Sequence, residues 1–194
     1  MAAVATLRPH AKEDANSYVG IVVALASWAM MFAGLFFVYA AVRANSDVWP
    51  PAGMPKLPLA LPAISSAVIV ASSATMQLGL RALQLNDVER FKKLTGLTIV
   101  LGLAFLELQY LLWSRLSELG VHLSSGQYGG IVYAFTLLHA VHIVCGLLGL
   151  AFVMRRAFLG IYSAHNWFGV RSITFFWHFV DVVWLVMFVT IFLM

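Results

Sequence analysis

The fold class predicted by this sequence is an all-α integral membrane protein with five transmembrane helices. Three observations carry that prediction. Hydrophobic residues make up 62% of the 194 residues and charged residues 10%, against roughly 45–50% and about 25% in ordinary globular chains. A soluble fold of this composition would expose large apolar patches. The apolar residues gather into five runs, each near the roughly 20 residues that cross a bilayer as a helix. The twelve Lys and Arg sit in short clusters between those runs, which is a topology pattern rather than the single basic patch of a nucleic-acid binder. No nucleic-acid partner is expected. Because each run is continuously apolar, helices are preferred to barrel strands, which alternate over roughly 10 residues.

The first span covers about Tyr18 to Val42 and holds no charge. Its apolar core exceeds the roughly 7–15 residues of a secretory signal, so it is expected to be retained. The second runs from about Leu59 to Leu80 and the third from about Leu94 to Trp113. The fourth runs from about Tyr128 to Met154 and the fifth from about Ile173 to Met194. Residues 1–17 form a short N-terminal segment before one transmembrane domain, 18–194. Between the first two spans, Trp49-Pro50-Pro51 and the prolines at 55, 58 and 62 predict a rigid irregular connection, since proline fixes the backbone and removes a donor. Trp49 and Trp113, near span ends, are expected to anchor at the headgroups.

Basic residues set the orientation. One side carries Arg8, Lys12, Arg81, Arg90, Lys92, Lys93, Arg155, Arg156 and Arg171, nine in all, and the other only Arg43, Lys56 and Arg115. This bias predicts a cytoplasmic N-terminus and a C-terminus outside. The cell (plasma or inner) membrane is the expected location.

Polar residues inside the spans are the informative ones, because an acid at a helix centre costs about 2.5–3.5 kcal/mol on insertion scales. Glu107 and Asp181 are the two such acids, accompanied by Gln109, His139, His142 and His178. His178 and Asp181 are three apart and share a helix face. His139, His142, Gly146 and Gly149 recur at three and four, a seam where another helix can approach closely. Ser65, Ser72 and Gly79 make a similar seam in the second span. Two His and a carboxylate suit a facial-triad metal site, which would make this a stand-alone membrane metalloenzyme using His139, His142, His178 and Asp181. The preferred reading is a hydrogen-bonded polar network locking helices together, because embedded polar side chains commonly pair across helices. Glu107 is read either as a paired interface acid or as a proton-responsive group. Cys145 is the one cysteine; it offers no disulfide or Cys-metal framework and is expected to behave as a small buried hydrophobe.

Five ordered motifs then point to a family. Phe176-Trp177-His178-Phe179-Val180-Asp181-Val182-Val183-Trp184 resembles the C-terminal signature of subunit III of haem-copper cytochrome oxidases. Thr136-x-x-His139-x-x-His142-x-x-x-Gly146 resembles the motif before it. Trp49-Pro50-Pro51-x-Gly53, His165-x-x-Phe168-Gly169 and Leu101-Gly102-x-x-Phe105-x-x-Leu108-Gln109 match as well. The resemblance runs in order from about Tyr18 to the C-terminus and corresponds to the five-span bacterial form, which lacks the first two helices of seven-span members.

The resemblance implies a subunit without a redox centre of its own, with haem and copper held in partner subunits. Its implied partners are oxidase subunit I above all, then subunit II and other oxidase or supercomplex subunits. It further implies bound phospholipid, support of proton uptake and protection of the catalytic subunit during turnover. Arg81, Arg155 and Arg156, at span ends, are expected to meet anionic headgroups at roughly 1 kcal/mol each. A quinol oxidase or a nitric-oxide-reductase-associated relative would keep the family and change the electron donor. Two departures stand out. The family usually has a Glu after Ser in its first shared span, where this chain has Trp28 after Ser27. It usually has a second Glu three residues after the Gln of the third span, where this chain has Leu112.

Overall fold

The computed structural model describes residues 9–51, 54, 55, 57–164 and 166–193, with side chains described from Tyr18 onward. Arg8, Gly53, Lys56, His165 and Met194, and the side chain of Lys12, lie outside the described residues.

Among the described residues, five helices are long and apolar enough to span a membrane, as the sequence predicts. They are α1 (Pro9–Ala44), α2 (Ala60–Gln84), α3 (Val88–Glu118), α4 (Gly126–Phe158) and α5 (Phe168–Met187), and α5 runs on into a wider π-helical segment, Phe188–Leu193. Each of the first four outruns, at one end or both, the apolar segment read from the sequence. Hydropathy marks where lipid begins, whereas intrahelical hydrogen bonding continues into the polar layer until a terminating signal appears. The segment between Arg81 and Lys93 shows this best. It is a helical hairpin with only Leu85, Asn86 and Asp87 between the helices. Asn86 takes the left-handed conformation at φ 63°, which Asn tolerates better than most residues. Asp87 caps α3 by accepting from the Arg90 N–H at 2.9 Å.

Helices α2 to α5 form a four-helix bundle in which α2 packs on α3 and α5, and α4 packs on α3 and α5. Helix α1 leans on α4 and α5 from outside. Among the described side chains of α1, only Phe32 and Tyr39 are buried, so most of that surface faces away from the chain. The connections α2–α3 and α4–α5 lie on the side where α1 begins; the 45–59 loop and the α3–α4 turn lie on the other.

Between α2 and α5 an antiparallel ladder of indole and hydroxyl groups replaces pure aliphatic packing. Trp177 Nε1 donates to Ser72 Oγ at 3.0 Å and Trp184 Nε1 to Ser66 Oγ at 3.0 Å. Lipid tails are as apolar as leucine, so apolar contact alone does not hold helices together in a bilayer, and packing with hydrogen bonds must do so. Both glycine motifs serve this end. A Cβ on Gly102 would stand 2.9 Å from the Trp177 ring and one on Gly146 would stand 2.8 Å from it. Trp177, fully buried, thus lies in a slot between α3 and α4 that only glycines leave open.

Candidate functional site

Among the described residues, polar side chains gather in the bundle interior, at the end that carries the 45–59 loop, and in a cleft beside α1. In the interior His178 faces α2. Its Nε2–H donates to Gln77 Oε1 at 3.1 Å, and Nδ1 then accepts from the Ser73 hydroxyl. A serine has a single O–H proton, and His178 takes it. Asp181 is 3% exposed, and although Ser73 lies beside it, neither carboxylate oxygen has a hydrogen-bond partner among the described residues. The proton that could satisfy Asp181 is committed one turn away.

The two histidines of α4 lead elsewhere. His139 is fully buried, with both ring nitrogens unpartnered, and its ring lies 5.6 Å from that of Phe105 and 5.4 Å from that of Trp184. His142 bonds through Nδ1 to the Leu138 carbonyl at 2.7 Å, and its ring meets Trp28 and Phe32 of α1 at 5.5 and 5.3 Å. The network expected from the sequence to join His139, His142, His178 and Asp181 is therefore split. His178 is tied to α2, His142 turns toward α1, and neither the His139 ring nitrogens nor the Asp181 oxygens have a hydrogen-bond partner among the described residues. Helical spacing placed each pair on one face, but the residues it faced are aromatic rings and a serine already in use. Among the described residues no three His, Cys, Asp or Glu converge as a metal-ligand group.

The sequence marks Gln109 as a polar residue of the third span without giving it a role. It is 1% exposed, and neither atom of its amide has a partner among the described residues. Leu112, one turn on, is 1% exposed as well. Trp28 edges against Phe176 at 5.0 Å as well as His142, joining α1 to α4 and α5.

Glu107 takes the opposite position to Asp181. It is exposed on the outer face of α3, and no described residue bonds to it. Cys145 is also exposed, not buried as expected, because the α4 positions that meet α5 are Gly146 and Gly149, which leaves position 145 outside. Exposure sets which acid a reagent can reach. A lipid-soluble carbodiimide is expected to modify Glu107 and spare Asp181, as peptide mapping after labelling would show. Label on Asp181 alone would mean that the bundle opens far more readily than its packing suggests.

At the end that carries the 45–59 loop, the Trp49-Pro50 peptide is cis. Trp49 meets the rings of Tyr39 and Tyr128 at 5.6 and 5.2 Å. Tyr39 donates to the Thr190 carbonyl at 2.6 Å and accepts from Arg43 at 2.9 Å. Trp113 donates to Thr136 Oγ1 at 3.0 Å. Both tryptophans thus tie elements of the chain together in addition to standing at span ends. Pro50 and Pro51 are half-buried beneath this cluster.

The third place is a cleft of about 320 Å³ between α1 and the α4–α5 pair, lined by Leu25, Trp28, Phe152, Arg156, Tyr162 and Ile173 among others. Arg156 stands at one end, its guanidinium 5.6 Å from the Phe152 ring and 5.5 Å from that of Tyr162. Burial raises the Tyr162 phenol above its ordinary 10.0, with Arg156 opposing, so the pair offers a charge and a neutral hydroxyl. Arg81 and Arg155 are exposed and do not line this cleft.

Comparison with known proteins places this architecture. The family model described as "Cytochrome c oxidase subunit III" matches residues 10–194. The chain belongs to the cytochrome c oxidase subunit III family. It is 35% identical over 186 residues to the cytochrome c oxidase subunit 3 of Synechocystis sp., covering 95% of this chain and 78% of that one. Probable cytochrome c oxidase subunits 3 of Nocardia farcinica and Mycobacterium leprae are 34% and 32% identical, each covering 96% of this chain and 93% of theirs. Membership in the subunit III family makes this a multi-pass membrane chain that associates with other oxidase subunits.

Proposed function

We propose that this chain is the non-catalytic subunit III of an aerobic haem-copper terminal oxidase in the cell membrane, oriented with its N-terminus in the cytoplasm. There it stabilises subunit I, holds phospholipid against its α1 face and supports proton uptake during oxygen reduction. The observation that carries this reading is the cleft beside α1. It is apolar along its length and carries Arg156 and Tyr162 at the end that the basic-residue bias assigns to the cytoplasm. Acyl chains match the first property and an anionic headgroup matches the second. The divergence of His139, His142, His178 and Asp181 favours this reading over a metalloenzyme, which would need them to meet.

The test is native mass spectrometry of the purified oxidase complex, read beside its haem spectrum. Wild-type complex should carry this chain together with a haem-bearing subunit and at least one retained anionic phospholipid. One basic contact of roughly 1 kcal/mol corresponds to about a fivefold affinity difference. Arg156→Ala should therefore weaken lipid retention about fivefold, leave the haem bands unchanged and shorten the life of the enzyme during turnover. Wild-type complex free of lipid, or Arg156→Ala retaining it fully, would remove lipid binding at this cleft from the proposal. A complex lacking haem would remove the oxidase assignment.

A further inference from the structure

We infer that the outward face of α3 is a docking surface for a transmembrane helix of a different polypeptide, which brings a hydrogen-bond-donating side chain to Glu107. The inference rests on the oxidase reading only for the identity of that partner.

Helix α3 packs on α2 and α4, and its remaining face presents Val100, Leu103, Glu107, Tyr110, Leu111 and Ser114 at helical spacing. Most of these residues suit lipid; Glu107 does not. Six residues, or about 9 Å of helix rise, separate it from Trp113 at the end of the apolar run, beyond the reach of a glutamate side chain. Its neighbours one turn away are Leu103, Ala104, Tyr110 and Leu111. No described residue of this chain forms an ion pair or hydrogen bond with it. An acid held at this depth marks a partner or a function, and the partner must come from outside the chain.

Shape supports the same surface. Alongside this face, a groove of about 380 Å³ runs between α3 and α4, lined by Leu106, Gln109, Trp113, Val141 and Cys145 among others. Such a groove receives the side chains of a packed helix, while Glu107, on the exposed face beside it, supplies the polar contact. An acyl chain could fill the groove but offers no donor. A second copy of this chain fits badly as well. A two-fold interface apposes the same patch on both subunits, and across this face it would bring Glu107 against Glu107. A different helix with a Lys, Arg or amide side chain at that depth satisfies both shape and charge.

The experiment places a photo-reactive residue at Leu103 or at Tyr110 in the full chain, expressed with its complex, and irradiates intact membranes. Both positions should give an adduct with one other membrane polypeptide. A hydrogen bond to a charged group is worth enough that its loss lowers binding about tenfold or more, so Glu107→Leu should reduce the adduct yield by that factor. Because Glu107→Leu puts an apolar residue on an apolar face, it does not endanger folding, and normal amounts of membrane-inserted chain serve as the control. Adducts with lipid only, adducts between two copies of this chain, or a yield indifferent to Glu107→Leu would each overturn the inference. The haem content of the wild-type complex judges the oxidase reading separately.

Discussion

Replacing Trp177 by alanine is expected to destabilise the bundle by about 3–5 kcal/mol, the range for removing a large buried aromatic side chain. The indole is fully buried and occupies the slot between Gly102 and Gly146, so its loss leaves a cavity that two glycines cannot refill. The substitution also strips Ser72 of the donor at 3.0 Å. Equilibrium unfolding of the purified chain in mixed micelles would measure the effect. The reciprocal change, Gly146→Ala, should cost about 1–3 kcal/mol by overpacking. Because the two residues touch, combining the changes should give much less than their sum. A Trp177→Ala loss below about 1 kcal/mol would mean that the slot is not what holds α3, α4 and α5 together.

Asp181→Leu is expected to act in the other direction, stabilising the isolated chain by about 1–3 kcal/mol, the usual cost of a buried polar group left without a partner. The carboxyl is 3% exposed with both oxygens unpartnered, and its removal leaves the Ser73–His178–Gln77 contacts intact. His178→Leu should do the reverse, because it orphans Gln77 and separates α5 from α2. The same unfolding measurement, run on both variants, decides the matter. Destabilisation by Asp181→Leu matching that of His178→Leu would show that Asp181 is a working member of the polar ladder. Equal stability of Asp181→Leu and wild type in the assembled oxidase, with a gain only in the separated chain, would place the missing partner of Asp181 on another subunit.

Asp181 and Glu107 show how far the sequence reaches. Five apolar runs, their order and the basic clusters between them establish the spans, because the bilayer imposes a length and a polarity that composition alone reports. The glycine and serine seams were also legible: Ser65, Ser72 and Gly79 are all buried, and Gly146 and Gly149 both meet α5. The ordered motifs were enough to indicate the family. Helix ends were less legible, since hydropathy reports the lipid boundary while backbone hydrogen bonding carries α3 on to Val88 and Glu118.

What only the tertiary structure decided is which way each polar group faces. In a soluble helix the apolar stripe turns inward and identifies the core side. In a membrane helix both faces are apolar, so periodicity relates His178 to Asp181 and His139 to His142 without saying which neighbour each pair meets. The packing directed His139 and His142 toward aromatic rings and gave the one proton of Ser73 to His178. It thereby left Asp181 buried without a donor and turned Glu107, a residue of the same charge in an equally apolar run, outward to the edge of the molecule.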